Sequence, residues 1–201
     1  MAELTFATCP SMPCPGINQQ VCIMPPAVAV PNSVKVVMIS EAAPPEPQDY
    51  YYCGCDSLFA QTTVAAFNDA GVAAKSISEL VDMGFYFTTA VKCGKTGYGI
   101  ETATIKECSL LLEKELTLFP HVRAYMLMGD VAIRALNHIA RRAGQPRVIP
   151  AGSTYKIRSG EFYFGKTRAF PSYLQAGPSF YIEKSKRRMI AEDIAAAVKL
   201  L

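Results

Sequence analysis

The ten residues from Gly84 to Cys93, GFYFTTAVKC, constrain this chain more than any other stretch. They are mostly β-branched or aromatic and almost uncharged, the composition of a strand buried on both faces. A glycine-containing loop follows, Gly94 to Gly99. Thr102 or Thr104 is then placed to N-cap a helix whose apolar face carries Ile105, Leu111, Leu112 and Leu116. The strand ends in Cys93, the helix carries Cys108 in its first turns, and fourteen residues separate the two. A buried strand followed by a helix calls for a parallel sheet with right-handed crossovers.

The remaining elements extend that plan. Val34–Ile39 is apolar and β-branched and reads as the first central strand. Ser40 to Glu46 follows at its C-terminal end, where open α/β sheets bind ligands. Gln48 to Asp56 holds Tyr50, Tyr51 and Tyr52, which suit base stacking, a lid over an apolar pocket, or core filling. Asp56 or Ser57 caps a helix to Ala70, closed by Gly71. The helix bearing Cys108 runs to about Leu118 and stops before Pro120. Ala124–Met128 is a third strand, Gly129 its turn, and Asp130 the N-cap of a helix to Ala143. Residues 147–169 read as antiparallel, with Ser159-Gly160 a hairpin between Thr154–Arg158 and Phe162–Phe164. Ala169-Phe170 ends the last strand, and Ile182–Leu201 is an amphipathic helix.

Charge is less informative. Lys156, Arg158, Lys166 and Arg168 alternate with aromatics, as in a nucleic-acid surface or a half-exposed edge strand. Lys184, Lys186, Arg187 and Arg188 form a patch diluted by Glu183, Glu192 and Asp193. Arg141-Arg142 reads as a solvated helix end, and His121 and His138 as structural. A net charge of +3 permits a nucleic-acid partner without requiring one.

The organisation expected is an extended Pro/Cys-rich arm over residues 1–33 and an α/β domain over 34–201, the latter a three-layer α/β/α sandwich with a short, mainly parallel central sheet. Pro10, Pro13, Pro15, Pro25, Pro26 and Pro31 forbid a long helix in the arm, and nothing else there reads as a helix or a strand. Seven cysteines, odd in number and unevenly spaced, argue against a complete disulfide framework and for reduced thiols in a cytoplasmic protein, some of them binding metal. Cys9, Cys14 and Cys22 of the arm are either incidental thiols of a flexible leader or ligands that pin it to the domain. Cys53-Gly54-Cys55 is a weak metal signal held in reserve. No run reaches the ~18 apolar residues of a membrane span, and no basic region followed by an apolar core suggests a signal peptide. A monomer with no membrane partner is expected.

Three motifs carry a family resemblance. Thr88-Thr89-Ala90-Val91-Lys92-Cys93, fourteen residues, Cys108 and an acidic, leucine-rich helix resemble the iron–sulfur uracil-DNA glycosylases of family 4. There a strand ending in Asn, two apolar residues, Lys and Cys precedes the loop, and both cysteines bind a [4Fe–4S] cluster. Phe170-Pro171-Ser172-Tyr173-Leu174 resembles that family's His-Pro-Ser-Tyr-Leu. Tyr125–Gly129 followed by Ala132 resembles its apolar strand, glycine and short helix. The matches span roughly residues 34–200, in the family's order. Ser40-Glu41-Ala42-Ala43-Pro44 stands where the family has Gly-Glu-Ala-Pro-Gly, and Phe59 near its base-stacking phenylalanine.

The resemblance implies catalytic positions at Glu41, Thr89 and Phe170. It implies substrate contacts at Ser40, Ala42, Phe59, Gly129, Pro171, Ser172 and Tyr173. It also implies a cluster held by four of Cys9, Cys14, Cys22, Cys93 and Cys108. Beyond Ser40, Ala43 and Pro44, two positions that read the base depart from the pattern. Thr89 stands for an asparagine whose amide matches the edge of a pyrimidine, and Phe170 for a histidine that would stabilise charge on the departing base. Both changes remove polar readout, so ordinary uracil specificity is not expected. The function implied is a DNA-binding protein that flips or probes a base, with weak or altered glycosylase activity. The alternative is a non-catalytic protein on the same fold that binds nucleic acid or a nucleobase and carries a purely structural cluster.

Overall fold

The computed structural model describes residues 14, 17–22, 31–54, 56–97 and 99–201, with backbone alone for 19–22. In chain order its main elements are β1 (Ile17–Cys22), β2 (Val36–Ala43), α1 (Leu58–Asp69), α2 (Ile77–Asp82), β3 (Phe85–Lys95), α3 (Thr102–Leu116), β4 (Ala124–Met128), α4 (Asp130–Arg142), α5 (Thr154–Ile157), β5 (Phe162–Phe164), β6 (Thr167–Ser172) and α6 (Lys184–Val198). The strands form one six-stranded sheet in the order β1-β3-β2-β4-β6-β5. The inner four are parallel, while β1 and β5 pair antiparallel at the two edges. The protein is therefore an α/β fold with a mixed, mostly parallel sheet flanked by helices.

The apolar run at residues 85–93 forms β3, buried along nearly all its length because both faces are covered. Strand alternation divides the core in two. Val37, Ile39, Tyr86 and Leu127 pack under α3 and α4 with Ile105, Leu112 and Leu136. Val36, Met38, Phe85, Phe87 and Phe170 face the other way, onto Phe59 and Phe67 of α1 and Ile190 and Ile194 of α6. Tyr50 and Tyr51 are each 1% exposed and belong to this second layer, so the tyrosine run fills the core. Among the described residues no helix is long and apolar enough to cross a membrane.

Several local expectations are corrected. The arm does contain a strand, since β1 pairs with the end of β3, Ile17 opposite Lys95 and Cys22 opposite Cys93. Strand β2 runs on through Ser40–Ala43, because Ser40 and Ala42 stay in register with Thr89 and Val91 before an irregularity at Ala43. Glu101, in extended conformation, occupies the N-cap of α3, and neither threonine caps it. Gly129, at φ 106°, is the N-cap of α4, so Asp130 is its first residue. Thr154–Ile157 is a helical turn, with the N–H groups of Lys156 and Ile157 donating to the Ser153 carbonyl. The hairpin instead joins β5 to β6 around Gly165, whose φ of 59° suits glycine in a tight turn. Strand β6 continues through Pro171 to Ser172. Proline is tolerated because β5 pairs only with Thr167–Ala169, leaving Pro171 beyond the doubly paired part of the strand.

Candidate functional site at the strand ends

The chain leaves β2 to build β3 on one side, then crosses back to build β4 on the other. The direction of winding reverses between β2 and β4, and the crevice at their C-terminal ends is where such sheets bind ligands. Glu41 of β2 and Gly129 after β4 meet there. A Cβ on Gly129 would lie 2.6 Å from Glu41 Oε1, so glycine is needed for the approach as well as for its φ. The Asp130 and Val131 N–H groups, at the positive end of α4, favour the charged form of the Glu41 carboxylate. Burial nevertheless holds the Glu41 carboxyl above the usual carboxylate range, outweighing the opposing pull of Lys95 and of those N–H groups.

An open cavity of about 470 Å3 lies against this carboxylate. Glu41, Ala42 and Pro45 form one side, Phe59 of α1 another, Lys95 and Gly97 a third, and Leu174 to Ser179 the last. The wall is largely apolar, with one carboxylate and one ammonium as its charged groups. That composition suits a flat, partly polar ligand. Gly177, at φ 94°, turns the chain so that its α-carbon passes Phe59. The cavity brings together Glu41, Ala42 and Phe59 from the expected set.

The other expected residues sit beside or beneath it. Ser40 is fully buried and hydrogen-bonds Tyr51 Oη and, at 3.3 Å, Gln175 Oε1. Gln175 Nε2 donates to Tyr51 Oη at 3.1 Å and Thr63 Oγ1 at 3.4 Å. This sealed network fixes the segment that lines the cavity. Thr89 faces the same layer as Phe87 and Ser40. Its hydroxyl is buried with no hydrogen-bond partner. Phe170 is buried under the Arg168 guanidinium, 5.1 Å from its ring centre. Ser172 lies on that face too and donates to Asp193 Oδ2 at 2.5 Å. Asp193 also accepts two hydrogen bonds from Arg158, yet burial keeps its carboxyl above the usual range. Pro171 is a strand residue, and Tyr173 is half-buried with Lys186 Nζ 5.4 Å from its ring centre. None of Thr89, Phe170, Ser172 or Tyr173 lines the cavity.

The cysteines expected to bind a cluster are placed as follows. Cys93 and Cys108 are buried, at 6% and 3% exposure, on the end of β3 and the early turns of α3. The β1–β3 register sets the backbone of Cys22 opposite Cys93, and Cys14 is half-buried three residues ahead of β1. Cys9 and Cys55 lie outside the described residues, and Cys53 is exposed. Among the described side chains no three His, Cys, Asp or Glu converge as a metal site. The Cys22 side chain is not one of those described. What is described is the backbone pairing of Cys22 with Cys93 and the burial of Cys93 and Cys108 on the neighbouring elements β3 and α3.

One further feature was not announced by the sequence. Lys92, fully buried, forms an ion pair with Glu115 of α3, itself 1% exposed. Lys92 Nζ also donates to Thr88 Oγ1 at 2.6 Å and to the Thr89 carbonyl at 2.7 Å. Glu115 Oε1 accepts from Tyr86 Oη at 2.7 Å and Thr88 Oγ1 at 2.8 Å. The pair ties β3 to α3. Neither protein-family models nor curated proteins match this chain.

Proposed function

We propose that the chain is a base-probing DNA-binding protein with the three-layer α/β/α sandwich of the uracil-DNA glycosylase superfamily, and that it excises uracil weakly or not at all. The observation that carries this reading is the meeting of Glu41 and Phe59, from β2 and α1, on one cavity at the strand ends. Glu41 matches the family's strand-end motif, and Phe59 falls near its base-stacking phenylalanine. Phe59 offers a face for a flipped base. Glu41 can accept from a base N–H or orient a water at the sugar, and burial raises its basicity above that of an ordinary carboxylate.

The departures set the expected activity. Thr89 and Phe170 contribute no polar group to the cavity, so the contacts that read and stabilise uracil in the resembling family are missing. That observation favours a second reading as well, in which the protein binds a base without releasing it. A [4Fe–4S] cluster belongs to both readings, with Cys14, Cys22, Cys93 and Cys108 as its four thiolates. Bound there, it supplies a structural tie between the arm and the domain.

The test is a single-turnover assay of base release from single- and double-stranded oligonucleotides carrying uracil, hypoxanthine or xanthine. Uracil release is expected to be slow or absent. Rapid uracil release by the unmodified protein would refute the reading. Fluorescence of a base analogue in the same oligonucleotides separates binding without release from no binding.

A further inference from the structure

We propose that the groove between α4 and residues 145–157 is a binding track for a chain of phosphates, separate from the cavity at the strand ends. The groove encloses about 580 Å3. Its floor is the outward stripe of α4, where Arg134, His138 and Arg141 recur at i, i+4 and i+7 and so share one face. The buried residues of the same helix, among them Val131, Ala135 and Ile139, point the other way into the core. The opposite wall is fixed in place. Asn137 Nδ2 donates to the Ile149 carbonyl at 3.0 Å, and the Ile149 N–H returns a 3.0 Å bond to Asn137 Oδ1. That paired contact seats Val148 and Ile149 in the core and holds Arg147 at the rim.

The charge in the groove is one-sided. Arg134, Arg141 and Arg147 line it against a single carboxylate, Asp130, which Arg134 already engages at 3.5 Å. Arg142 is taken up by Glu113 and Ser109. Arg141 and Arg147 have no ion pair among the described residues, so two guanidinium groups flank the groove with their charge unanswered. Burial and the surrounding Arg142, Arg134, Arg141 and Lys106 together lower the basicity of His138, which marks the local field as positive. Arg134 and Arg141 are separated by about 10 Å along the helix axis at ~1.5 Å per residue. Successive phosphates of a strand are spaced closely enough that a short run of them fits that length. Guanidinium groups bond phosphate oxygens two at a time, and a phosphate chain repeats such groups along a rigid stripe.

A phosphate chain can come from a nucleic-acid backbone or from free polyphosphate, and the experiment separates the two. Binding of a fluorescent oligo-dT and of inorganic tripolyphosphate is measured against sodium chloride for wild type, R141A/R147A, and the charge-matched control K75A/R188A. Lys75 and Arg188 are exposed and lie outside the groove. Each lost phosphate contact lowers the salt slope for a single strand by about 0.7. Between 50 and 200 mM salt the wild type should therefore lose about sevenfold more affinity for oligo-dT than R141A/R147A, with the control behaving as wild type. The same dependence on Arg141 and Arg147 for tripolyphosphate, without oligo-dT binding, supports the phosphate track with a free polyphosphate as its occupant. No binding of either probe, equal losses in the control, or poly-glutamate binding as tightly as oligo-dT would overturn the inference. Base release is assayed separately. Loss of uracil chemistry leaves this result standing, and loss of the salt effect leaves the cavity reading standing.

Discussion

Replacing Glu115 tests the energetics of the interior most sharply. Glu115→Ala strips Lys92 of its counter-ion inside a region with 0% and 1% side-chain exposure. Two changes follow at once. An uncompensated buried ammonium costs about 3–5 kcal/mol when one member of such a pair is removed. The hydroxyls of Tyr86 and Thr88, which donate to Glu115 at 2.7 and 2.8 Å, also lose an acceptor, at about 1 kcal/mol or more each where nothing replaces it. The expected loss, about 5 kcal/mol, is comparable with the whole stability of a small domain. Lys92→Met with Glu115→Leu removes both charges and fills the space, so the double variant should lie much nearer wild type than either single one. The coupling energy in the double-mutant cycle should then exceed about 3 kcal/mol. Urea denaturation at constant slope measures all four proteins. A loss below about 1 kcal/mol for Glu115→Ala, or additive effects of the two substitutions, would refute the reasoning.

Two further outcomes are expected. Burial raises the Glu41 carboxyl in the folded protein, so its contribution to stability is present below the unfolded value of about 4.3 and is lost as pH rises through the folded value. E41Q should therefore gain on wild type in thermal stability as pH rises from about 4 to 7, and a gain in the opposite direction would contradict the assigned cause. Anaerobically purified protein should be brown, and C22A, C93A or C108A should bleach it and open the N-terminal arm to protease. Colourless, iron-free protein with the arm still protected would remove the cluster from the proposal.

What the sequence revealed followed from how local each signal was. The composition of residues 85–93 marks β3 directly, and Ala124–Met128 is β4 to the residue. The extension of β2 was hidden because Ser40, Glu41 and two alanines have little strand character, and only pairing with β3 holds them extended. The hairpin was misplaced because Ser159-Gly160 and Gly165-Lys166 both read as turns, and pairing with β6 selected the second. In the cavity, Glu41 and Phe59 were visible through motif positions, whereas Lys95 carried no signal beyond being a lysine after a cysteine. Gln175 meets Ser40 across 135 residues, and Lys92 meets Glu115 across 23. No periodicity connects such partners, since the sheet order alone brings them together.

The pairing of β1 with β3 bears on how much of the sheet edge is left bare. β3 is eleven residues long, apolar for most of its length and free of proline, the profile of a segment that templates cross-β growth when its edge is bare. It lies one strand in from the rim only because β1 covers its end. The short strand thus shields that end of β3. On the proposed cluster, which would join Cys22 to Cys93, removal of the iron should leave β3 open to a second molecule. Light scattering that grows with protein concentration, in the cysteine variants before the intact chain, would report that exposure.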